Sequence, residues 1–305
     1  QAKINVTEAL KFTNPLLLIT GPIALFIKKG GQKSLKKRIN YYLPFVLVGL
    51  FFYLIVAAPL TSFFFLIEKI DLVSVLFFAI IFEIFIYANF CGLSLIVYGV
   101  FGMLGYRIPL NFKQPFSSSN VVDFWKGWHA SLSTVLKILF YTPLRRHFSQ
   151  FIALSGVFIA SALWHGITIN FLIWGSFHAI IFWISLILLR HNIKFLPMII
   201  LIFGVIIGRL IFADSNTDRL LEKLMFSYDG IGVFSALQNI PNTTKASLLL
   251  GVGIISIEFF FQKNRYVRKR NYKHLRTPIA LALLIVISVI LIKSTGGEYA
   301  VYGQR

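Results

Sequence analysis

Charged side chains are scarce: Asp, Glu, Lys and Arg make up 13% of the 305 residues, against about 25% in a typical soluble domain. A soluble fold of this size needs a polar shell, so the shortfall excludes water as the solvent for much of the surface. Acidic residues are rarer still, 11 against 30 Lys and Arg. The single cysteine, Cys91, excludes an internal disulfide and gives no sign of a redox compartment. There is no internal repeat and no low-complexity tract, and one membrane domain over 1–305 is the simplest division. The apolar–polar alternation of a membrane β-barrel over about 10 positions is also missing. The chain opens on Gln1 rather than Met and is expected to be the C-terminal part of a longer protein.

What is present is apolar: 57% hydrophobic and 16% aromatic residues. A helix crosses a bilayer with about 20 apolar residues, and the runs 41–66, 72–104, 195–213, 245–261 and 277–292 qualify. The run 151–189 is long enough for two helices, and 15–27 is shorter, a re-entrant piece or the tail of a span. Lipid leaves backbone groups no outside partner, so these runs are helical. The expected fold is an all-α, polytopic membrane bundle.

The net charge of +19 is not a nucleic-acid footprint, because of where the charges fall. Lys28, Lys29, Lys33, Lys36, Lys37 and Arg38 form one short basic loop; Lys263, Arg265, Arg268, Lys269, Arg270, Lys273 and Arg276 form another. Both flank spans, where cytoplasmic positive charge is expected; binding of anionic lipid is the alternative. With 28–40 inside, the crossings put 105–150 inside, 214–243 outside, 263–276 inside and the C-terminus outside.

Two stretches depart from an inert bundle. The first, 121–146, carries Trp125, Trp128 and His129 with apolar Leu132, Val135, Leu136 and Leu139 at helical spacing. It reads as a helix lying along or dipping into the cytoplasmic face, with Asp123 near its start. The second, 151–189, contains no Asp, Glu, Lys or Arg, and His165 and His178 are its only ionisable side chains. From 151 to 164 a helix climbs roughly 21 Å, short of the ~30 Å hydrocarbon core, which leaves His165 within the membrane. A titratable ring there needs a partner helix or a water-filled cavity; both remain open on spacing alone. Gly166 beside it permits close approach of backbone or substrate. His178 reads as structural, and His147, His191 and His274 as solvated. Glu83 either lines a conduit or bonds a neighbouring helix, and Glu258 snorkels or pairs near Lys263. Cys91 reads as inert, and no histidine has the carboxylate or cysteine neighbours of a metal site.

The segments DFWKGWHASLSTVLKILFYTPL (123–144) and ALWHGITINFLIWGSFHAI (162–180) together resemble the signature of the membrane-bound O-acyltransferases. The likeness is nearest to the bacterial polysaccharide O-acetyltransferases. LLLITGPI, GMLGYRIPLNFKQPF and LIFADSNTDRLLEKL agree in the same order. The resemblance implies re-entrant or interfacial helices around a central tunnel, with His165 as the catalytic histidine and His129 as its companion. It further implies a cytoplasmic acyl thioester donor, such as acetyl-CoA or an acyl-carrier protein, and no metal. The acceptor would be a hydroxyl on an extracytoplasmic glycan or an acyl-relay protein, and the setting the bacterial cytoplasmic (inner) membrane. Trp125, Trp128, Ser131, Ser133, Trp164 and Asn170 become candidate substrate contacts.

A neutral histidine of ordinary pKa, ~6.5, is a competent base for a hydroxyl attacking a thioester. Transfer can then be direct, without a Ser or Cys nucleophile. D-alanyl transfer from a carrier protein towards teichoic acid would use the same histidines. A transporter or export scaffold would instead show paired charges or inverted repeats near the midplane, and the sequence displays neither.

Overall fold

The computed structural model describes Ile23, Lys28, Lys29, residues 34–66, 72–193, 195–213 and 232–260, together with Asp218, Leu220, Leu221 and Met225. Helices α1 (Leu35–Leu50) and α2 (Ala58–Leu66) are joined without a break through a π-helical stretch, Phe51–Ala57. They are followed by α3 (Leu72–Met103), α4 (Val121–Gly127), α5 (Ala130–Leu136), α6 (Thr142–His147) and α7 (Gln150–His165). Helices α8 (Ile169–Arg190), α9 (Phe195–Phe212), α10 (Val233–Asn239) and α11 (Asn242–Phe260) complete the described bundle. Among the described residues, five helical stretches are long and apolar enough to cross a membrane: Leu35–Thr61, Val73–Met103, Ile169–Arg190, Phe195–Phe212 and Asn242–Phe260. The run expected to hold two helices does so, as α7 and α8. The expected span at 277–292, the basic loop 263–276 and nearly all of 15–27 lie outside the described residues.

α3 is the central column. Its apolar window is 67% enclosed by protein, whereas that of α11 is only 17% enclosed. On the outer helices, Ile180, Phe203 and Leu249 are more than half exposed, as lipid-facing side chains must be. α1 crosses α3 where two glycines meet. A Cβ on Gly49 would stand 2.6 Å from the Gly92 carbonyl oxygen, and one on Gly92 2.8 Å from that of Gly49. Small residues of this kind let helix backbones touch in a membrane.

The ends of α3 separate the flanking segments. Lys28–Lys29 (β1) pairs antiparallel with Tyr106–Arg107 (β2), just past the C-terminal end of α3. α10 packs near the opposite end, where Phe234 lies 6.0 Å from Phe77. The first basic loop and the start of 105–150 therefore share one end of the bundle, with α10 at the other.

The segment 121–147 is not one continuous helix. It breaks at Trp128 and His129, where Trp128 is extended and His129 left-handed at φ 43°, ψ 50°. Long-range hydrogen bonds hold the break: Lys113 N–H donates to the Gly127 carbonyl at 2.9 Å, and Ala130 N–H to that of Asn111 at 2.8 Å. Residues 111–113 thus take up backbone groups that a straight helix would have used locally, and tertiary structure overrides the helical spacing. Leu132, Val135 and Leu136 are buried as expected, but Leu139, in the π-helical stretch Lys137–Tyr141, is 56% exposed.

Candidate active site

The broken segment and the C-terminal end of α7 both line a cavity of about 480 Å³. His129 and His165 both line it, with Trp125, Trp128, Ser133 and Trp164. Much of the remaining wall is aliphatic and includes Leu132, Leu136, Leu154 and Val157, while Lys126 and Lys137 are exposed along it.

His165 ends α7. Ser149 caps the start of that helix, its Oγ accepting from Ile152 N–H at 3.3 Å, and Gly166 follows its last turn. At Gly166 the close neighbour is a side chain rather than another backbone: the Phe171 ring would lie 2.8 Å from a Cβ there. The His165 ring meets Trp174 edge-on at 5.6 Å and Phe212 at 4.9 Å. These contacts fix the imidazole from α8 and α9 while leaving it accessible.

His129 owes its direction to the helix break. Asn120 caps α4 by accepting from Asp123 N–H at 2.8 Å, so the helix begins near Asp123, as expected. Left-handed backbone is uncommon for a residue other than glycine, although histidine is among those enriched there. Burial away from water pushes the His129 imidazole down to about 4, since the charged form loses its hydration. Its Nδ1 is enclosed and has no hydrogen-bond partner among the described residues.

Two candidate contacts lie off the cavity wall. Ser131 is buried, and its hydroxyl donates to Asn111 Oδ1 at 2.6 Å while accepting from Ile23 N–H at 2.9 Å. It fastens the loop behind the site. Asn170 is fully enclosed near the start of α8. Ser133 does line the cavity, with its hydroxyl turned to the Trp125 carbonyl at 3.2 Å.

The sequence reading missed Arg209. It lies in the last turn of α9, 6% exposed, and lines the cavity with both histidines. Its guanidinium pairs with Glu83 of α3 and sits 4.4 Å from the centre of the Trp128 ring and 5.9 Å from that of Phe212. The available signal was a lone arginine and a lone glutamate, each inside an apolar run, so the absence of paired charges expected from the sequence does not hold: α3 and α9 carry one buried pair. Of the two roles open to Glu83, the structure selects the helix-to-helix bond. Glu258 does not snorkel; it is buried and accepts a hydrogen bond from Tyr87 of α3. Cys91 is buried away from the cavity wall. His178 is packed among Trp125 at 5.0 Å, Trp174 at 4.9 Å and Phe177 at 5.3 Å, and abuts Gly208, in keeping with a structural role. His147 and His191 are exposed.

The probable alginate O-acetylase of Azotobacter vinelandii is 31% identical over 186 residues, covering 56% of this chain and 37% of that protein. The peptidoglycan O-acetyltransferase of Helicobacter pylori is 33% identical over 99 residues, 31% of this chain and 19% of the relative. The teichoic acid D-alanyltransferase of Bacillus subtilis is 28% identical over 111 residues, 33% and 28% respectively. The chain thus spans between 19% and 37% of the length of these relatives. Residues 26–212 match the model of the membrane-bound O-acyltransferase family, and they hold the histidine pair, Arg209 and every cavity-lining residue but Ile23, so this integral membrane chain belongs to that family.

Proposed function

We propose that the protein moves an acyl group, acetyl in the first reading, from a cytoplasmic thioester such as acetyl-CoA to a hydroxyl. The acceptor is an exported cell-envelope polysaccharide or an acyl-relay protein. The observation that carries this reading is the meeting of His129 and His165 on one cavity wall, from segments 36 residues apart in sequence.

His165 acts as the base. The acceptor hydroxyl, whose own pKa lies far above 7, gives its proton to the imidazole as its oxygen attacks the thioester carbonyl. His129, in the same cavity, orients the thioester, and Trp125, Trp128, Ser133 and Trp164 shape the space around it. The mostly apolar wall suits the arm of a thioester donor, and Lys126 and Lys137 suit its phosphates. Holding both reactants in one cavity supplies much of the rate enhancement by proximity.

The setting is the bacterial cytoplasmic membrane. The positive-inside rule puts the 28–40 loop in the cytoplasm, and the described ends of α3 are compatible with α10 lying outside. On that map the C-terminus is extracytoplasmic. D-alanyl transfer from a carrier protein is the second reading, favoured by the likeness to the Bacillus subtilis D-alanyltransferase. Donor preference separates the two.

The test is His165→Ala in the full-length protein in its host, with envelope glycan acylation measured by mass spectrometry. Acylation should disappear while protein level and membrane location hold. Unchanged acylation would overturn the proposal.

A further inference from the structure

We propose that Arg209 is a catalytic residue, supplying the positive charge that faces the carbonyl oxygen as it becomes an oxyanion during transfer. The inference rests on the acyl-transfer reading and adds a group to it. Arg209 lines the cavity that both histidines line. Its guanidinium lies over Trp128, the residue before His129, and near Phe212, whose ring meets His165 edge-on. It lines the same cavity although its side chain is only 7% exposed.

A buried ion pair that served only to join α3 to α9 would have no need of a place on the cavity wall. Glu83 takes the Nε–H and lies 3.5 Å from one terminal nitrogen. A guanidinium has five N–H donors in a fixed fork, so Glu83 leaves other N–H groups of Arg209 uncommitted. The stack on Trp128 and the carboxylate hold the plane of the fork. Donors fixed in advance in a water-poor site stabilise developing charge without having to reorganise.

The step balances without a further reactant. The acceptor O–H proton passes to His165, the acceptor oxygen bonds to the thioester carbon, and the carbonyl electron pair moves onto its oxygen, facing Arg209. Collapse of that oxyanion breaks the C–S bond. The leaving sulfur takes the proton from the imidazolium, giving an ester and a free thiol.

A structural ion pair and a catalytic cation respond differently when both partners are neutralised. Removing Arg209 alone strands the Glu83 charge, whereas removing both leaves no buried charge to repair. The experiment uses full-length protein in proteoliposomes, radiolabelled acetyl-CoA and envelope polysaccharide from the host. Wild type is compared with Arg209→Lys, Arg209→Gln, Glu83→Gln/Arg209→Gln and His165→Ala. The double variant should lose about 100-fold or more in kcat, with KM held within about threefold and melting near that of wild type. Arg209→Lys, which keeps the charge but not the fork, should fall between wild type and Arg209→Gln. Recovery of wild-type kcat in the double variant, with His165→Ala inactive, overturns the Arg209 role and leaves the acyl-transfer reading standing. A wild type without transfer, or a fully active His165→Ala, overturns both.

Discussion

His129 and Arg209 show how individual side chains are conditioned by their surroundings. The folded protein holds the His129 imidazole at about 4, against ~6.5 when unfolded. Between those values the unfolded chain binds a proton that the folded one refuses, so stability falls as pH drops from 6.5 towards 4 and is indifferent above that window. The gap caps the effect at about 3 kcal/mol, less to the extent that water in the cavity reaches the ring. Melting of the detergent-solubilised protein should therefore fall through that interval, and His129→Gln should flatten the slope; an unchanged slope contradicts the burial. His165, His129 and the tryptophans were legible in the sequence because polar or amphipathic residues are conspicuous in apolar runs. Arg209 and Glu83 stood in such runs too, but 126 residues apart, and spacing along one chain does not reveal which helices meet.

Among the elements, the broken helix places His129, and the α1–α3 crossing secures the central column. Gly49→Leu should cost about 3 kcal/mol or more through overpacking against the facing backbone, seen as lost folded protein in membranes. Gly253→Leu on α11 is the matched control, since nothing lies within 4 Å of a Cβ there, and it should express normally. Equal behaviour of the two would contradict the crossing. At Gly208 a larger side chain would drive into His178 and displace the turn that carries Arg209. Gly208→Leu should accordingly lower kcat together with stability, measured as transfer rate and melting temperature. The helices of 151–189 were legible because hydrophobic length and flanking charge set them locally. The interruption at Trp128 and His129 was not, because its hydrogen-bond partners lie at 111–113, a nonlocal arrangement that helical periodicity cannot register.

At the scale of the whole molecule, α3 separates two ends. The pairing of Lys28–Lys29 with Tyr106–Arg107 lies at one and α10 at the other. Because Cys91 is the only cysteine and is buried, a cysteine introduced at an exposed position reports its own side. Leu104→Cys should react with a membrane-impermeant maleimide only from the cytoplasm, and Ser235→Cys only from outside; labelling of both from one face would break the map. Charge asymmetry is the sequence feature that proposes this map, while the lining of the cavity between the broken helix and α7 emerged only from the fold. The most direct test of the account is single-turnover acyl transfer by the purified full-length protein, with His165→Asn chosen to keep a polar side chain of similar size. The account predicts a loss of about 100-fold to 10,000-fold with melting unchanged; transfer within about twofold of wild type, well inside the smallest loss expected of a missing base, would contradict it.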